Sequence, residues 1–537
     1  MKQEADYQKL RGGYYTPEIV AKFIVDWAIK DSNIHSVLEP SCGDGNFLKA
    51  LKATGYEGDV LGIELDPNEA AKAKNISPLY KIINDDFFTY YEKNINNKTH
   101  FDLILGNPPF IRYQNFDEEY RKKAIALMTE HGFKPTKLMN IWLPFLLLAC
   151  EALTDDGKIG MVIPAELFQV NYAKEARIYL SRYFDQLRII TFHELVFDGI
   201  QQEIVLILGE RKSNKKGIKV SEYDNFDELI NRGNDWINDG ELKGTDSSGE
   251  KWLKYFLTNE ELKLLDRLGK DERISNAEEL YTVNVGLVSG ENSFFNLSYG
   301  DVKKYGLEDY VEPIICRADQ LKGIVLTSED FSAVSDAGKR VWMFSPKDEE
   351  YSDLTENERK YINYGVSKGY DKNYKCRIRK RWYYFPKTWK PEAFAIRQAN
   401  LYPRLIYNAA DTYVTDTLHK IRFKQGIKGT NVVAAFVNTY TLALSETLGR
   451  SYGGGVLTFE PSEMQRMRIP MKNAEKLDFT LIDRLQREGE VNKILAYTDD
   501  VLLRQGLGLT QHEIDLLHDI WNRLRNRRIS RKRVAST

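Results

Sequence analysis

The chain has 537 residues, 42% hydrophobic and 29% charged, which is the composition of a globular protein with more than one domain. Its net charge of −2 identifies no class of partner, but residues 1–210 hold 23 Lys+Arg against 30 Asp+Glu, whereas residues 211–537 hold 53 against 48. This asymmetry predicts that a polyanion would bind mainly to the second part of the chain.

The cysteines and the apolar segments exclude several classes of protein. The four cysteines (Cys42, Cys150, Cys316 and Cys376) are far apart and lack metal-ligand spacing with the seven histidines. This pattern indicates neither a disulfide framework nor a metal site, and it favours a reducing cytoplasm. The polar N-terminus, MKQEADYQKLRGG, does not resemble a signal peptide. The longest apolar run, IWLPFLLLAC, is too short to span a bilayer, so we expect no membrane partner.

Short β-rich apolar runs alternate with helical patterns through residues 1–210. The runs lie at 35–40, 59–65, 80–85, 101–106, 158–164, 187–192 and 203–210, and helical patterns include 45–54, 68–75 and 141–153. This alternation predicts an α/β fold with a Rossmann-like, parallel-rich doubly wound sheet. Ligands of such sheets bind at the carboxyl ends of the strands, so the residues after each run are the candidates for a site.

The ends of the first three runs carry residues that suit a nucleoside. The segment EPSCGDGNF contains Gly43 and Gly45, which permit a sharp turn and a close approach of the backbone, although an ordinary strand-to-helix turn explains them equally well. Glu64 ends the next run, where a carboxylate can bind both ribose hydroxyls. Asp86 and Phe87 follow the third run, where they can contact an adenine. The loop lacks the Lys-Ser/Thr of a phosphate-binding loop, which argues against a triphosphate and leaves a dinucleotide open.

The fourth run ends in Asn107-Pro108-Pro109-Phe110. Prolines donate no backbone hydrogen bond and restrict the residue before them to extended geometry. The side-chain carbonyl of Asn107 and the backbone carbonyl of Pro108 therefore form two fixed acceptors beside the ring of Phe110. They suit a planar substrate with an –NH2 group, because two accepted hydrogen bonds favour a pyramidal nitrogen whose lone pair can attack an electrophile. Positioning and electrostatics would carry this reaction without a metal.

At these residues the chain resembles the class I S-adenosylmethionine-dependent methyltransferases. More narrowly, it is similar to the gamma-class (TaqI-like) DNA adenine-N6 methyltransferases of restriction-modification systems, whose motifs occur here in the same order. These motifs are YYTPEIVAKFIVDWA (14–28), VLEPSCGDGNF, GIELDP (62–67), NDDFF (84–88), LILGNPPF, NIWLPFLLLACEALTDDGKIGMVIPAELF (140–168) and HELVFDGIQQEIVLIL (193–208). Many relatives have Tyr where this chain has Phe110, and Phe can also stack on a base.

The resemblance implies a role for each matching residue. It implies that S-adenosylmethionine is bound by Thr16, Glu39, Gly43, Gly45, Glu64, Asp86, Phe87, Asn107 and Phe145. It implies that Asn107, Pro108 and Phe110 act on the target base, and that Phe110 and Phe197 stack on it. Without this family resemblance, Phe145 and Phe197 would be interpreted as core residues. A target base in duplex DNA must also be flipped out of the stack to reach such a pocket.

The resemblance, together with two polar, loop-like stretches at 211–217 and 244–251, implies three regions. Residues 1–215 are expected to form the catalytic domain, 216–245 a linker, and 246–537 a mixed α+β target-recognition domain with a basic C-terminal tail. Within the last region, 283–295 and 448–470 resemble elements of the family's recognition domain.

The stretch CRIRKRWYYFPKTWK (376–390) has the densest mixture of cations and aromatic rings. Cations neutralise phosphates and rings stack on unpaired bases, although an exposed loop would look the same. It supplies the predicted DNA-binding residues, which are Arg377, Arg379, Lys380, Arg381 and Trp382.

The sequence therefore predicts a cytoplasmic, site-specific DNA methyltransferase acting on the N6 amine of a flipped adenine. Its partners would be double-stranded DNA and, in a restriction-modification or phage-defence system, a cognate restriction endonuclease. The alternatives are a methyltransferase of RNA adenine or of a protein glutamine amide, since the latter presents the same –NH2 group, and the methylase part of a fused restriction enzyme.

Overall fold

The computed structural model describes residues 15–30, 33–136, 139–194, 196, 203–452 and 455–530. The chain divides into two compact units, the first extending to Asn259 and the second spanning Glu260–Ile529.

A nine-stranded sheet organises the first unit, in the order β3-β2-β1-β4-β5-β7-β6-β8-β9. Strands β1 to β5 pair in parallel, and β7 runs antiparallel between β5 and β6. This arrangement confirms the predicted Rossmann-like sheet. The strands are β1 (Ser36–Glu39), β2 (Asp59–Glu64), β3 (Lys81–Asn84), β4 (Phe101–Gly106), β5 (Leu153–Pro164), β6 (Gln186–Phe192), β7 (Ile204–Glu210), β8 (Gly217–Tyr223) and β9 (Leu242–Lys243).

Helices connect these strands and bury their apolar sides against the sheet. Val20 and Ile24 of the first helix pack in one core cluster with Val37, Leu103 and Leu105 of the central strands. The helices are α1 (Glu18–Ile29), α2 (Asn46–Ala53), α3 (Pro67–Lys74), α4 (Phe87–Tyr90), α5 (Glu118–Glu130), α6 (Trp142–Glu151), α7 (Lys174–Tyr183) and α8 (Phe226–Asn231), with a π-helical turn at Tyr91–Ile95.

The predicted linker, residues 216–245, is instead part of the first unit. Strand β8 pairs in parallel with β6 over its whole length, from Gln186–Gly217 to Phe192–Tyr223. Phe226 and Trp236 then pack into the core of the same unit. The prediction was wrong because the cation-rich turn before β8 resembles an exposed linker, whereas the apolar residues that follow it complete the sheet.

The second unit contains several smaller sheets. Its five-stranded sheet has the order β11-β20-β16-β18-β14 and its four-stranded sheet has the order β12-β15-β13-β19. The strands are β10 (Ile274–Asn276), β11 (Tyr281–Val285), β12 (Asn296–Leu297), β13 (Val311–Ile315), β14 (Val325–Leu326), β15 (Trp342–Phe344), β16 (Ala393–Ile396), β17 (Gln398–Ala399), β18 (Leu405–Asn408), β19 (Tyr413–Val414), β20 (Leu418–Phe423), β21 (Arg450–Tyr452), β22 (Val456–Thr458) and β23 (Arg468–Pro470).

Short helices surround these sheets. A buried ion pair ties the last of them to the rest of the unit, since Arg528 Nη2 lies 2.7 Å from Glu446 Oε1 and both side chains are almost fully buried. The helices are α9 (Asn259–Gly269), α10 (Ala277–Leu280), α11 (Asn292–Phe295), α12 (Tyr299–Tyr305), α13 (Ser328–Asp336), α14 (Glu356–Ser367), α15 (Tyr374–Arg377), α16 (Gly429–Phe436), α17 (Thr439–Leu448), α18 (Pro461–Gln465), α19 (Phe479–Glu488), α20 (Val491–Thr498) and α21 (Gln511–Ser530), with a π-helical segment at Asp499–Leu507.

Within the described part of the chain, every helix is too short or too polar to cross a membrane.

Candidate active site

A cavity of about 670 Å³ opens at the carboxyl ends of β1, β2 and β4. These ends meet because Glu39 of β1 pairs with Gly62 of β2, and Leu38 pairs with Ile104 of β4. The volume lies within the range of small-molecule sites, roughly 300–1,000 Å³. Eight of the nine predicted cofactor-binding residues line it, namely Thr16, Glu39, Gly43, Glu64, Asp86, Phe87, Asn107 and Phe145.

Oε2 of Glu39 and Oγ1 of Thr16 are among the buried oxygen atoms of the cavity wall that have no hydrogen-bond partner within the described structure. Glu39 is only 2% exposed. Burial, and then the charges of Glu64 and Asp44, raise the pKa of Glu39 well above its ordinary value. An uncompensated buried carboxylate is costly unless a donor or a cation binds it, so this end of the cavity suits an ammonium group.

The turn after β1 is held against Glu64 at the end of β2. The backbone N–H of Gly43 donates to Oε2 of Glu64 at 2.8 Å, and the N–H of Asp66 donates to Oε1 at 2.8 Å. Burial raises the pKa of Glu64, although these two donors oppose the shift. Gly43 has φ +52°, and a Cβ there would lie 3.2 Å from the ring of Tyr15. The carboxylate of Glu64 and the backbone of Gly43 therefore lie side by side at fixed positions in the cavity wall.

An aromatic wall forms the side of the cavity beyond β3. Phe87 and Phe145 stack with ring centroids 5.0 Å apart and an interplanar angle of 19°. Asp86 caps helix α4, since its Oδ2 accepts from the N–H of Thr89 at 2.7 Å and from Oγ1 of Thr89 at 2.9 Å. Burial raises the pKa of Asp86. A flat apolar wall beside a carboxylate matches the face and the amine edge of an adenine.

The Asn-Pro-Pro-Phe turn begins directly after β4. The backbone carbonyl of Asn107 accepts from Oγ of Ser41 at 3.3 Å, which links the turn to the end of β1. Asn107 and Pro109 line the cavity, whereas Pro108 is buried and does not line it. Phe110 is half-buried and packs against the core cluster of the first unit. Phe197, the second predicted stacking residue, lies outside the described residues.

Gly45 does not line the cavity. Its φ is +88°, and a Cβ there would come within 2.2 Å of Cδ1 of Ile76. This glycine is therefore required for the left-handed turn and for close packing at the start of helix α2.

The prediction missed several residues that line the cavity. Tyr15 precedes Thr16 in the motif YYTP, while the others follow the proline turn and begin helix α5. The sequence offered one signal for the residues after the proline turn, which is that they follow a strand whose end carries functional residues. Their own residue types do not distinguish them from an ordinary loop. The group comprises Asn115, Phe116, Asp117 and Tyr120.

Four of the five predicted DNA-binding residues have partners inside the second unit. The Nη1 atom of Arg379 donates to the carbonyl of Ser289 at 2.6 Å. Arg381 Nη2 donates to Oε1 of Glu350 at 2.6 Å, and its Nη1 pairs with Asp348.

The third, Trp382, packs on Phe294 with centroids 4.6 Å apart. The fourth, Lys380, is exposed, and its Nζ lies 3.8 Å from Oε1 of Glu350. Arg377 is exposed.

Among the described residues, no group of His, Cys, Asp or Glu side chains is arranged to hold a metal ion.

Comparisons with known proteins match both units. The family model of the Eco57I restriction-modification methylase matches residues 50–197, and the model of the C-terminal domain of Type II methyltransferase M.Eco57I matches residues 249–503. Type II methyltransferase M.AccI of Acinetobacter calcoaceticus is 24% identical over 508 residues, which cover 92% of this chain and 90% of that protein. Type II methyltransferase M.XamI of Xanthomonas campestris pv. amaranthicola is 23% identical over 480 residues, covering 86% and 85%.

Among solved structures, the DrdV–DNA complex matches with 12% identity and a TM-score of 0.45, covering 93% of this chain and 58% of that chain.

The family models and the two relatives support a methyltransferase of the restriction-modification type. The predicted resemblance is thus confirmed at this level, while membership of the gamma class stays a prediction.

Proposed function

We propose that this restriction-modification methyltransferase transfers a methyl group from S-adenosylmethionine to the N6 amine of an adenine in double-stranded DNA. The observation that carries the proposal is the Asn107-Pro108-Pro109-Phe110 turn, which follows β4 at the rim of a cavity suited to a nucleoside.

The residues of the cavity fit S-adenosylmethionine. The buried carboxylate of Glu39 and the hydroxyl of Thr16 suit the charged methionine part, because both have oxygen atoms without a partner in the described structure. Glu64 would accept from the ribose hydroxyls, and the Phe87–Phe145 wall would contact the adenine face beside Asp86. When bound, this cofactor supplies an electrophilic methyl group on a sulfonium.

The Asn107 turn would hold the substrate amine. The side-chain carbonyl of Asn107 and the backbone carbonyl of Pro108 would each accept one hydrogen bond from an –NH2 group. These bonds favour a pyramidal nitrogen and orient its lone pair, so that catalysis comes from positioning and preorganised dipoles. An adenine in a duplex must be rotated out to reach these acceptors, at a cost of a few kcal/mol that pocket and backbone contacts offset.

The second unit would bind the DNA. Support comes from the net positive charge of residues 211–537 and from the match of residues 249–503 to the C-terminal domain of M.Eco57I. As part of a restriction-modification system, the chain would act alongside a cognate restriction endonuclease that cleaves the same site when it is unmethylated.

The variant Asn107→Ala tests the amine-activation role. We expect methyl transfer to fall below detection, with S-adenosylmethionine affinity close to that of the wild type, because the substitution removes a substrate acceptor. Transfer is measured with labelled S-adenosylmethionine and duplex DNA, and affinity by calorimetry. The matched control is Asn94→Ala, at an exposed asparagine remote from the cavity, which should keep full activity. Substantial transfer by Asn107→Ala would contradict the proposal.

Product analysis separates adenine from other amine substrates. Digestion of the labelled DNA should release N6-methyl-2′-deoxyadenosine as the labelled nucleoside. Label in cytosine would reject the adenine assignment. Label in protein glutamine or in RNA, with unlabelled DNA, would favour the alternatives that share the –NH2 group.

A further inference from the structure

One aromatic ring of the second unit carries two cations. The Nζ atom of Lys420 lies 4.4 Å from the ring centroid of Trp389, and the Cζ atom of Arg422 also lies 4.4 Å from it. The ammonium of Lys420 donates to Oγ1 of Thr388 at 2.7 Å. Lys420 and Arg422 are two residues apart on β20, so their side chains emerge on the same face of the strand.

These two cations differ from their neighbours because neither of them is in an ion pair within the described residues. Lys387 pairs with Glu312 at 3.0 Å, and Lys390 pairs with Asp411 at 2.8 Å. Across the described ranges, neither Lys420 nor Arg422 forms an ion pair with a carboxylate.

Burial, and then the positive charge of Arg422, lower the pKa of Lys420. Two like charges are thus held together at one ring, an arrangement that an external anion would stabilise.

The flanking strands add polar groups and one carboxylate. On the β16 side, Oε2 of Glu392 accepts from the N–H of Phe423, the residue after Arg422, at 2.7 Å. In the antiparallel pairing of β11 with β20, Thr282 lies opposite Arg422 and Asn284 lies opposite Lys420. Directly opposite residues share one face of a sheet. Strand β11 is an edge of its sheet, and Asn284 and Arg422 are exposed. The face therefore offers the exposed guanidinium of Arg422 and the amide of Asn284 to a polyanion at an accessible edge, while Lys420 is buried.

We propose that Trp389, Lys420 and Arg422, here called the Trp389 cluster, bind the phosphate backbone of DNA. The inference rests on the proposed function, and it specifies where the second unit contacts its substrate. The guanidinium of Arg422 donates to phosphate oxygens, and the ammonium of Lys420 adds a second positive charge behind it. Trp389 is a positioning residue, because its ring holds both cations. Contacts of this kind fix the register of the protein on the duplex and carry no base specificity.

Salt dependence of DNA binding tests this proposal. Full-length wild type, Arg422→Gln, Lys420→Gln and the double variant are titrated with a fluorescein-labelled duplex by anisotropy. Arg422→Gln should reduce the slope of log affinity against log salt by about 0.9, because one phosphate contact is lost. Lys420→Gln should reduce it by less, because Lys420 is only 7% exposed and acts through its charge behind Arg422. Between about 0.2 M and about 0.05 M salt, the wild type should then gain roughly 3.5-fold more affinity than Arg422→Gln, and between roughly 3.5-fold and 12-fold more than the double variant.

Control variants separate the cluster from a general charge effect. Lys493→Gln removes an exposed cation of the same unit that pairs with Glu490 at 3.3 Å, and it should leave the slope unchanged. Arg422→Lys should keep the slope, since it retains the charge. Trp389→Ala should weaken DNA binding, and Trp389→Phe should restore most of it, because a ring face survives. Thermal unfolding and S-adenosylmethionine affinity verify that each variant is folded.

The outcomes distinguish this inference from the proposed function. If the wild type binds DNA with a steep salt slope and the double variant has the same slope, the Trp389 cluster is not a phosphate site, and the proposed function stands. If the wild type shows no salt-dependent DNA binding, both are overturned.

Discussion

Replacing Glu39 with Gln should weaken S-adenosylmethionine binding and at the same time stabilise the ligand-free protein. Glu39 is 2% exposed, its Oε2 has no partner in the described structure, and burial is the first cause of its raised pKa. A ligand ammonium at this oxygen would form a charge-assisted hydrogen bond. Such a bond contributes about 1.5–3 kcal/mol, so Glu39→Gln should raise the Kd roughly 10- to 150-fold.

The pH dependence follows from the direction of the pKa shift. The folded, ligand-free protein holds the proton on Glu39 above the ordinary pKa of 4.5, so this group stabilises the fold at low pH and that contribution is lost as the pH rises through the raised pKa. Between the ordinary pKa and the raised pKa of Glu39, the free energy of unfolding falls by about 1.4 kcal/mol for each pH unit, because the folded protein holds one proton more than the unfolded chain. Gln cannot ionise, so the ligand-free variant should unfold at a higher temperature than the wild type at neutral pH.

Binding of a cationic ligand beside Glu39 should release the proton that this residue holds in the ligand-free protein. Because an ammonium favours the ionised carboxylate, S-adenosylmethionine binding should release a proton from Glu39 below the raised pKa, and wild-type affinity should increase with pH in that range. Calorimetry in two buffers of different ionisation enthalpy measures the released proton. Glu57→Gln, at an exposed carboxylate of the same unit, is the control and should behave as the wild type. Unchanged affinity and unchanged proton release in Glu39→Gln would refute this reasoning.

Three further substitutions test other parts of the structure. Gly45→Ala should destabilise the first unit by at least about 1–2 kcal/mol, the cost of a left-handed residue, since its φ is +88° and the new Cβ would also meet Ile76; a lower Tm checks this. Phe145→Leu should weaken S-adenosylmethionine binding about tenfold while DNA affinity is retained, because the ring face is lost; equal cofactor affinity would contradict the aromatic wall. Glu446→Gln should cost about 3–5 kcal/mol in urea unfolding, because Arg528 would be left as a buried, uncompensated charge; a loss below 1 kcal/mol would contradict that role.

The sheet of the first unit was predictable because each strand is a short apolar run with a turn behind it. The run at 101–106 became β4 with the same limits, and the run at 59–65 became Asp59–Glu64. Strand β5 begins at Leu153, earlier than the predicted 158, because Asp155, Asp156 and Gly157 interrupt the apolar pattern near its start. The position of the cavity could also be predicted, since most of the predicted cofactor-binding residues that line it directly follow strands.

The second unit was less predictable because its charges depend on tertiary partners. The stretch 376–390 mixes cations and rings throughout, and its sequence cannot reveal that Arg381 pairs with Asp348 and Glu350. Nor can it reveal that Trp389, near the end of that stretch, meets Lys420 and Arg422 from a strand about 30 residues away. Whether a cation of a basic stretch can bind an anion therefore depends on whether the fold places a carboxylate beside it, which the sequence alone does not show.

Single-molecule sequencing of genomic DNA tests the central claim most directly. DNA is taken from cells that express the wild type or Asn107→Ala in a host without its own adenine methylation. The proposed function predicts N6-methyladenine at one recurring sequence in the wild-type cells and its absence with Asn107→Ala. Unmodified adenine in DNA from wild-type cells, or the same methylation pattern with Asn107→Ala, would contradict it.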